Sequence, residues 1–334
     1  MPARRATAAR PTYTGLSPRA YQHPADRAAT AALSRIPLLD RLLRTLASVR
    51  YERPLRMRLL GNTVRIGEDQ LPSVWSAHTG AFATLDIEPV AQLYVGQDPW
   101  ANALTFGIDD PIVVLRSGLL QTLQPEEVRG VLAHEAAHIQ CGHGLYRTSL
   151  FVLLHAGLST LPPLTDILRR ALILALNEWS RAAELSCDRA SVLAVQDPVV
   201  VCATLMRLAG GDVPGLNVDA FVRQAQSYRD WDGLWDRFVR FRDELDWTYP
   251  WSVRRVHEVT EWVRSGEYDR IVHGDYVRRG HEPAATAEMG GMVEHYRQVF
   301  ADILEEAGWS ARQFTSRLRQ WLRDVREGIA PDEE

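Results

Sequence analysis

The spacing of apolar residues divides the chain into elements. Over residues 36–46 and again over 71–85 they recur three or four positions apart, which predicts two helices. Between them, 56–66 reads as the end of a helix running into a first strand. Residues 103–108 alternate and 112–115 form a short unbroken apolar run, so both read as strands, one half-buried and one fully buried. Helical spacing returns with Val128, Val131, Leu132 and Ile139; Pro125 fits the first turn of that helix, and Glu126 and Glu127 fit its positive end. Residues 179–190 and 251–264 read as further helices, and 293–328 as two amphipathic helices interrupted near Gly308. Helices around a small sheet make the expected fold class α+β, predominantly helical.

Three stretches lack this clarity. The first 19 residues are rich in Ala, Arg, Pro and Thr, hold no acid and have no apolar core of secretory-signal length, so 1–20 is expected to be a disordered basic tail. Residues 148–165 carry no charge, but His155, Gly157, Pro162 and Pro163 interrupt them, and the next apolar run, 171–176, is short. A bilayer crossing needs about 20 mainly apolar residues, so neither run is expected to span; both read as helices packed over a cleft. In 218–247, Trp231, Trp235, Phe238, Phe241 and Trp247 mix with Asp and Arg, a spacing expected of core contacts.

The helix after Pro125 carries the chemistry. His134-Glu135-Ala136-Ala137-His138 stacks two imidazoles on one helical face with a carboxylate beside the first. Chance placement yields roughly 0.02 such pentapeptides in a chain with this histidine content. Two imidazoles so placed fit a zinc ion, and Glu135 fits a general base that takes a proton from the attacking water. A catalytic zinc needs a third protein ligand, and the helix over 179–190 offers Glu184 and Asp188 on one face. Taken alone, these acids read as solvated charges pairing with Arg181 or Arg189. Beside an HExxH helix they read as a ligand, Glu184, and a carboxylate that orients a ligand from behind, Asp188. His143 lies about 140° around a continued helix from His138, so it reads as a capping residue or as one supporting a ligand. Cys141 and Cys187 read as small buried hydrophobes.

Together these motifs resemble the HtpX-like zinc metalloendopeptidases, the gluzincin-type family that includes the CAAX prenyl endopeptidases. The resemblance runs from Pro89 to Ala190: Asn102-Ala103, the run from Ile112 to Leu120, Gln124 to Val128, the HExxHxxxxH pattern ending at His143, and the ExxxDxxA pattern of Glu184, Asp188 and Ala190. Later, Thr248-Tyr249-Pro250 and Arg255-Val256 resemble the family's T-H-P-x-x-x-x-R-I segment, with Tyr249 where His is usual. The resemblance implies a small sheet packed on the active-site helix; the extra N- and C-terminal helices are read from apolar spacing alone. It implies one Zn²⁺ per chain on His134, His138 and Glu184, with Glu135 as base. Tyr249, His257 and Arg255 are candidates for stabilising the transition state, and Asn102, Ala103 and Leu104 for an edge strand that pairs with an extended polypeptide substrate. Domains are then expected over 21–265, a metalloprotease domain with an N-terminal helical cover, and 266–334, a helical extension.

Charge refines the choice of partners. All 38 basic residues are Arg. Residues 1–65 carry 13 Arg against Asp26, Asp40 and Glu52, a charge of +10 that leaves −14 on the rest of the chain. No nucleic-acid motif accompanies this charge, so its expected partner is the protein's own acidic body. Three cysteines, an odd number without a secretion signal, point to the cytoplasm. The leading expectation is a cytoplasmic zinc endopeptidase acting on unfolded or flexible polypeptide. The alternatives are a metal-stabilised, catalytically weak interaction protein that uses its aromatic C-terminal helices, and a protease peripherally associated with a membrane. Oligomeric state has no signature in the sequence.

Overall fold

The computed structural model describes residues 12–47, 49–155, 166–227, 250–282, 287–306 and 310–327. Four strands, β1 (Thr63–Ile66), β2 (Gln92–Gly96), β3 (Ala103–Phe106) and β4 (Ile112–Arg116), form one sheet in the order β1-β2-β4-β3. β2 and β4 run parallel, the outer pairs are antiparallel, and β3 is an edge strand with Ala103 opposite Leu115 and Phe106 opposite Ile112. Along β4 the two-residue period of a strand feeds two cores: Ile112 and Val114 enter one, Val113 and Leu115 the other. β2 is not among the strands that the spacing predicts, because its five residues show neither clean alternation nor an unbroken apolar run.

The first core packs α1 (Pro24–Ser34), α2 (Leu39–Leu46), α3 (Val49–Gly61) and α7 (Gly144–His155) against the first half of α8 (Asp166–Val195). The second gathers α4 (Pro72–Leu85), α5 (Ser117–Thr122), α6 (Pro125–Gln140), the end of α8 and α9 (Pro198–Gly210) with the helix Ser252–Arg264. With 30 residues, α8 is about 45 Å long and belongs to both cores: Ala171 to Ala183 line the first, Cys187 to Val195 the second. Glu184 sits at their seam.

Two expectations change. The helix over 36–46 begins only at Leu39, because Pro37 and a left-handed Leu38 (φ 67°) precede it. The tail over 1–20 is packed wherever it is described: Tyr13 and Leu16 are buried, Ser17 N donates to Val277 O (3.1 Å) and Arg279 N to Gly15 O (2.8 Å). Two apolar anchors and a short β-bridge between Leu16 and Arg278 tie it down; residues 1–11 lie outside the described residues. Residues 156–165 and the five aromatics singled out in 218–247 also lie outside them. The helices Ala287–Glu306 and Ala311–Glu327 turn Tyr296, Phe300, Phe314, Leu318 and Trp321 into the first core, so this aromatic face is covered by the chain itself. Among the described residues no helix is long and apolar enough to cross a membrane.

Candidate active site

At the start of α6 the Glu127 carboxylate accepts the Gln124 N–H (2.8 Å) and pairs with Arg207 of α9 (3.0 Å), which anchors the helix end. Ala133, Ala136 and Ala137 are fully buried. These small side chains let α6 and α8 approach closely, and the two helices form the most extensive pairing among the described elements. The approach brings buried His134, Glu135 and His138 against buried Glu184 and Asp188, which stand one turn apart on α8.

Glu184 joins the two histidines: Oε2 lies 2.9 Å from His134 Nε2 and Oε1 lies 3.3 Å from His138 Nε2. Behind His134, Nδ1 lies 3.2 Å from Asp188 Oδ1, and Arg255 grips Asp188 with Nε (2.8 Å) and Nη2 (2.6 Å). Burial would raise both carboxyls, but His134 holds Glu184 well below its usual range and Arg255 holds Asp188 below its own. For His134, burial opposes charge, yet Glu184 and Asp188 outweigh it and push the imidazole up to about 9. His138 goes the other way: burial first, then Arg147, hold it well below the usual histidine value, so it is a neutral ring.

Arg147 of α7 marks what the site attracts. Its Nη1 lies 2.6 Å from His138 Nε2 and 3.0 Å from Glu184 Oε1, a cation between two electron-pair donors. Tetrahedral ligands at zinc distances stand about 3.3 Å apart, close to the separations from Glu184 to each histidine. Two imidazoles and a carboxylate so spaced would fit a divalent cation between them, and Arg147 Nη1 already contacts two of the donor atoms it would use. His134, His138 and Cys187 also offer donor atoms within 4.8 Å of one another. Cys187 Sγ, however, lies 4.0 Å from His143 Nδ1, and burial pushes its thiol well above the usual range. The ionised carboxylate is the better donor.

Glu135 faces the same place from a different direction. Thr105 Oγ1, on β3, donates to Glu135 Oε2 (2.7 Å), and Arg147 Nη2 lies 3.7 Å from that oxygen. Glu135, His134 and Glu184 line a cavity of about 600 Å³ whose walls include Trp100, Val131, Leu205 and Trp251. Asn102 and Ala103 line it as well, where β3 forms the edge of the described sheet, whereas the Leu104 side chain packs against the first core. Arg255 lines the cavity with its guanidinium committed to Asp188. His257 is absent from the lining, and Tyr249 lies outside the described residues.

His143 approaches His138 through a turn. Gly142, with φ 72°, ends α6: its N–H donates to Ile139 O (3.0 Å), and the His143 N–H donates to His138 O (3.0 Å). The reversal sets His143 Nδ1 2.9 Å from His138 Nδ1. Three contributors carry no motif signal: Thr105, Arg147 and Asp26, whose Oδ2 lies 3.1 Å from His143 Nε2. Only Thr105 shows a trace of one, as a polar residue inside an otherwise apolar strand.

A helix bearing HExxH beneath a small sheet, with an acid from a second helix closing the donor set, defines a metallopeptidase. Relatedness agrees. The sequence profile of Peptidase family M48 matches residues 76–263, and the chain belongs to that family. The plastoglobule-localized metallopeptidase 48 of Arabidopsis thaliana chloroplasts is 35% identical over 260 residues, covering 75% of this chain and 74% of the relative. A protease HtpX homolog from Tropheryma whipplei strain TW08/27 is 30% identical over 154 residues, 45% of this chain and 50% of that protein. No solved structure matches the chain.

Proposed function

We propose that this M48 metallopeptidase binds one zinc ion per chain through His134, His138 and Glu184 and cleaves unfolded or flexible polypeptide, with Glu135 as general base. The supporting observation is that Glu184 meets both histidines, Oε2 at 2.9 Å from His134 Nε2 and Oε1 at 3.3 Å from His138 Nε2, while Glu135 lines one cavity with His134 and Glu184. Lewis acidity, which lowers the pKa of an attacking water toward ~7 and polarises the scissile carbonyl, is what the ion supplies when bound. Glu135 takes the proton of that water and returns it to the leaving amine, so the peptide gains one water and yields a carboxylate and an amine. Thr105 holds Glu135 Oε2 in place for both transfers. Asp188, itself gripped by Arg255, accepts Nδ1–H of His134 and leaves Nε2 free for metal. Substrate enters as an extended segment alongside β3 at Asn102 and Ala103, and the apolar wall with Trp100 at the rim, 79% exposed, receives its side chains.

Cleavage of an unfolded protein by zinc-loaded wild type is the test, with Glu135→Gln beside it. Wild type should cleave, and the variant should bind zinc yet cleave at least 100-fold more slowly. Equal rates would remove Glu135 as base, and a wild type that binds no zinc would overturn the site.

Cys141, Cys187 and Cys202 are all free thiols, which supports action in a reducing compartment such as the cytoplasm. A lipid-surface location is the second reading, favoured by the plastoglobule name of the Arabidopsis relative and the +10 charge of residues 1–65. Flotation with anionic vesicles at low salt separates the two.

A further inference from the structure

Asp26 sits in the first turn of α1, outside the span that the family profile matches, and it is fully buried. A buried carboxylate is costly unless its oxygens are satisfied. Here Oδ2 accepts from Ser186 Oγ (2.6 Å) and Gln22 Nε2 (2.9 Å), and Thr30 Oγ1 donates to Oδ1 (3.3 Å). Oδ2 also lies 3.1 Å from His143 Nε2. A carboxylate only accepts, so this nitrogen carries the hydrogen, and the Nδ1 of a neutral His143 ring is then an acceptor.

That assignment decides the next ring. The two Nδ1 atoms of His143 and His138 are 2.9 Å apart and share a single hydrogen. With His143 accepting, it sits on His138 Nδ1, and His138 Nε2 bears a lone pair. The far end of the chain points the same way: Arg147 has no acceptor, and its Nη1, at 2.6 Å, is much nearer His138 Nε2 than Glu184 Oε1 is at 3.3 Å, so Nε2 accepts from Arg147. From both ends the hydrogens run His138 Nδ1–H to His143 Nδ1, then His143 Nε2–H to Asp26 Oδ2.

We propose that Asp26 is a positioning residue of the metal centre, acting through His143 to fix the His138 tautomer that leaves Nε2 free as a ligand. The N-terminal helix is thereby part of the site as well as its cover. This inference rests on the zinc reading above. It also makes the centre symmetrical in design, since His134 is held from behind by Asp188 and Arg255 as His138 is by His143 and Asp26. Ser186, two residues beyond Glu184 on α8, ties Asp26 to the helix that carries the third ligand.

The test is zinc affinity of the full chain, measured by competition with a chromophoric chelator, for wild type, Asp26→Asn, His143→Asn and the double variant. An outer partner of a metal-bound histidine typically accounts for 10–100-fold in affinity, and a loss in that range is expected for each single change. Because Asp26 acts through His143, the double variant should bind no more weakly than His143→Asn alone, whereas a merely structural Asp26 would give multiplying losses. Cobalt(II) in place of zinc should show the same altered visible spectrum in both single variants. Should Asp26→Asn not fold, His143→Asn, which leaves Asp26 three other partners, reads the same relay. Undiminished affinity in either single variant, or multiplying losses in the double, overturns the proposal; a wild type without zinc affinity overturns the site reading with it.

Discussion

At the scale of single residues, the site is built from charges that would be unstable apart. Asp188 is buried and keeps its charge because Arg255 meets it with two donors from a rigid fork. Arg255→Gln leaves that carboxylate without its cation, and breaking one partner of a buried pair costs about 3 kcal/mol. Thermal unfolding should show that loss, and chelator competition should show weaker zinc binding, because Asp188 orients His134. An unchanged Tm would mean that Asp188 is held by something else. Arg147 is the opposite case, an internal cation on Glu184 Oε1 and His138 Nε2, two of the atoms that the proposed zinc would use. Arg147→Ala should tighten zinc binding severalfold while lowering the Tm of chelator-stripped protein; weaker zinc binding would show that Arg147 supports the ion instead of competing with it. His134, Glu135, His138 and Glu184 are legible in the sequence because helical periodicity converts spacing directly into a shared face. Asp26, Thr105 and Arg147 are not, since each reaches the site from another element and a distant side chain leaves no spacing to read.

At the scale of elements, what matters is where α6 stops. The sequence shows a glycine at 142 and a histidine at 143, but a continued helix would carry His143 away from His138. The left-handed turn at Gly142 reverses the chain and makes the two rings neighbours. A side chain at Gly142 meets no atom within 4 Å, so the effect of Gly142→Ala is conformational alone. It should cost about 1 kcal/mol of stability, the penalty of the left-handed region, and weaken zinc binding as His143 shifts. Full retention of both would place the origin of the His138–His143 contact elsewhere. The same contrast explains what the apolar pattern conveys about the fold. β4 and α6 are visible because their periods are clean, whereas the end of a helix depends on a φ angle that one glycine permits and does not compel.

At the scale of the whole molecule, two cores meet at the seam that holds Glu184, so folding and the proposed ion binding are linked through protons. In chelator-stripped protein His134 is raised to about 9, above the 6.5 of an unfolded chain. Its contribution to stability is therefore complete below pH 6.5 and is lost as pH rises through 9. Glu184, Asp188 and Asp26 are depressed, so their contribution is present above about pH 4 and is lost as pH falls below it. The Tm of the stripped protein should decline between pH 6.5 and 9, and His134→Gln should remove that slope. A ligand nitrogen must shed its proton to hold a metal, so zinc should release a proton on binding at pH 7–8, and its apparent affinity should climb with pH until about 9. Calorimetry in buffers of different ionisation enthalpy measures the proton directly. Zinc binding without proton release at pH 7.5 would mean that His134 is already neutral there, and that Glu184 and Asp188 do not hold its proton as their distances imply.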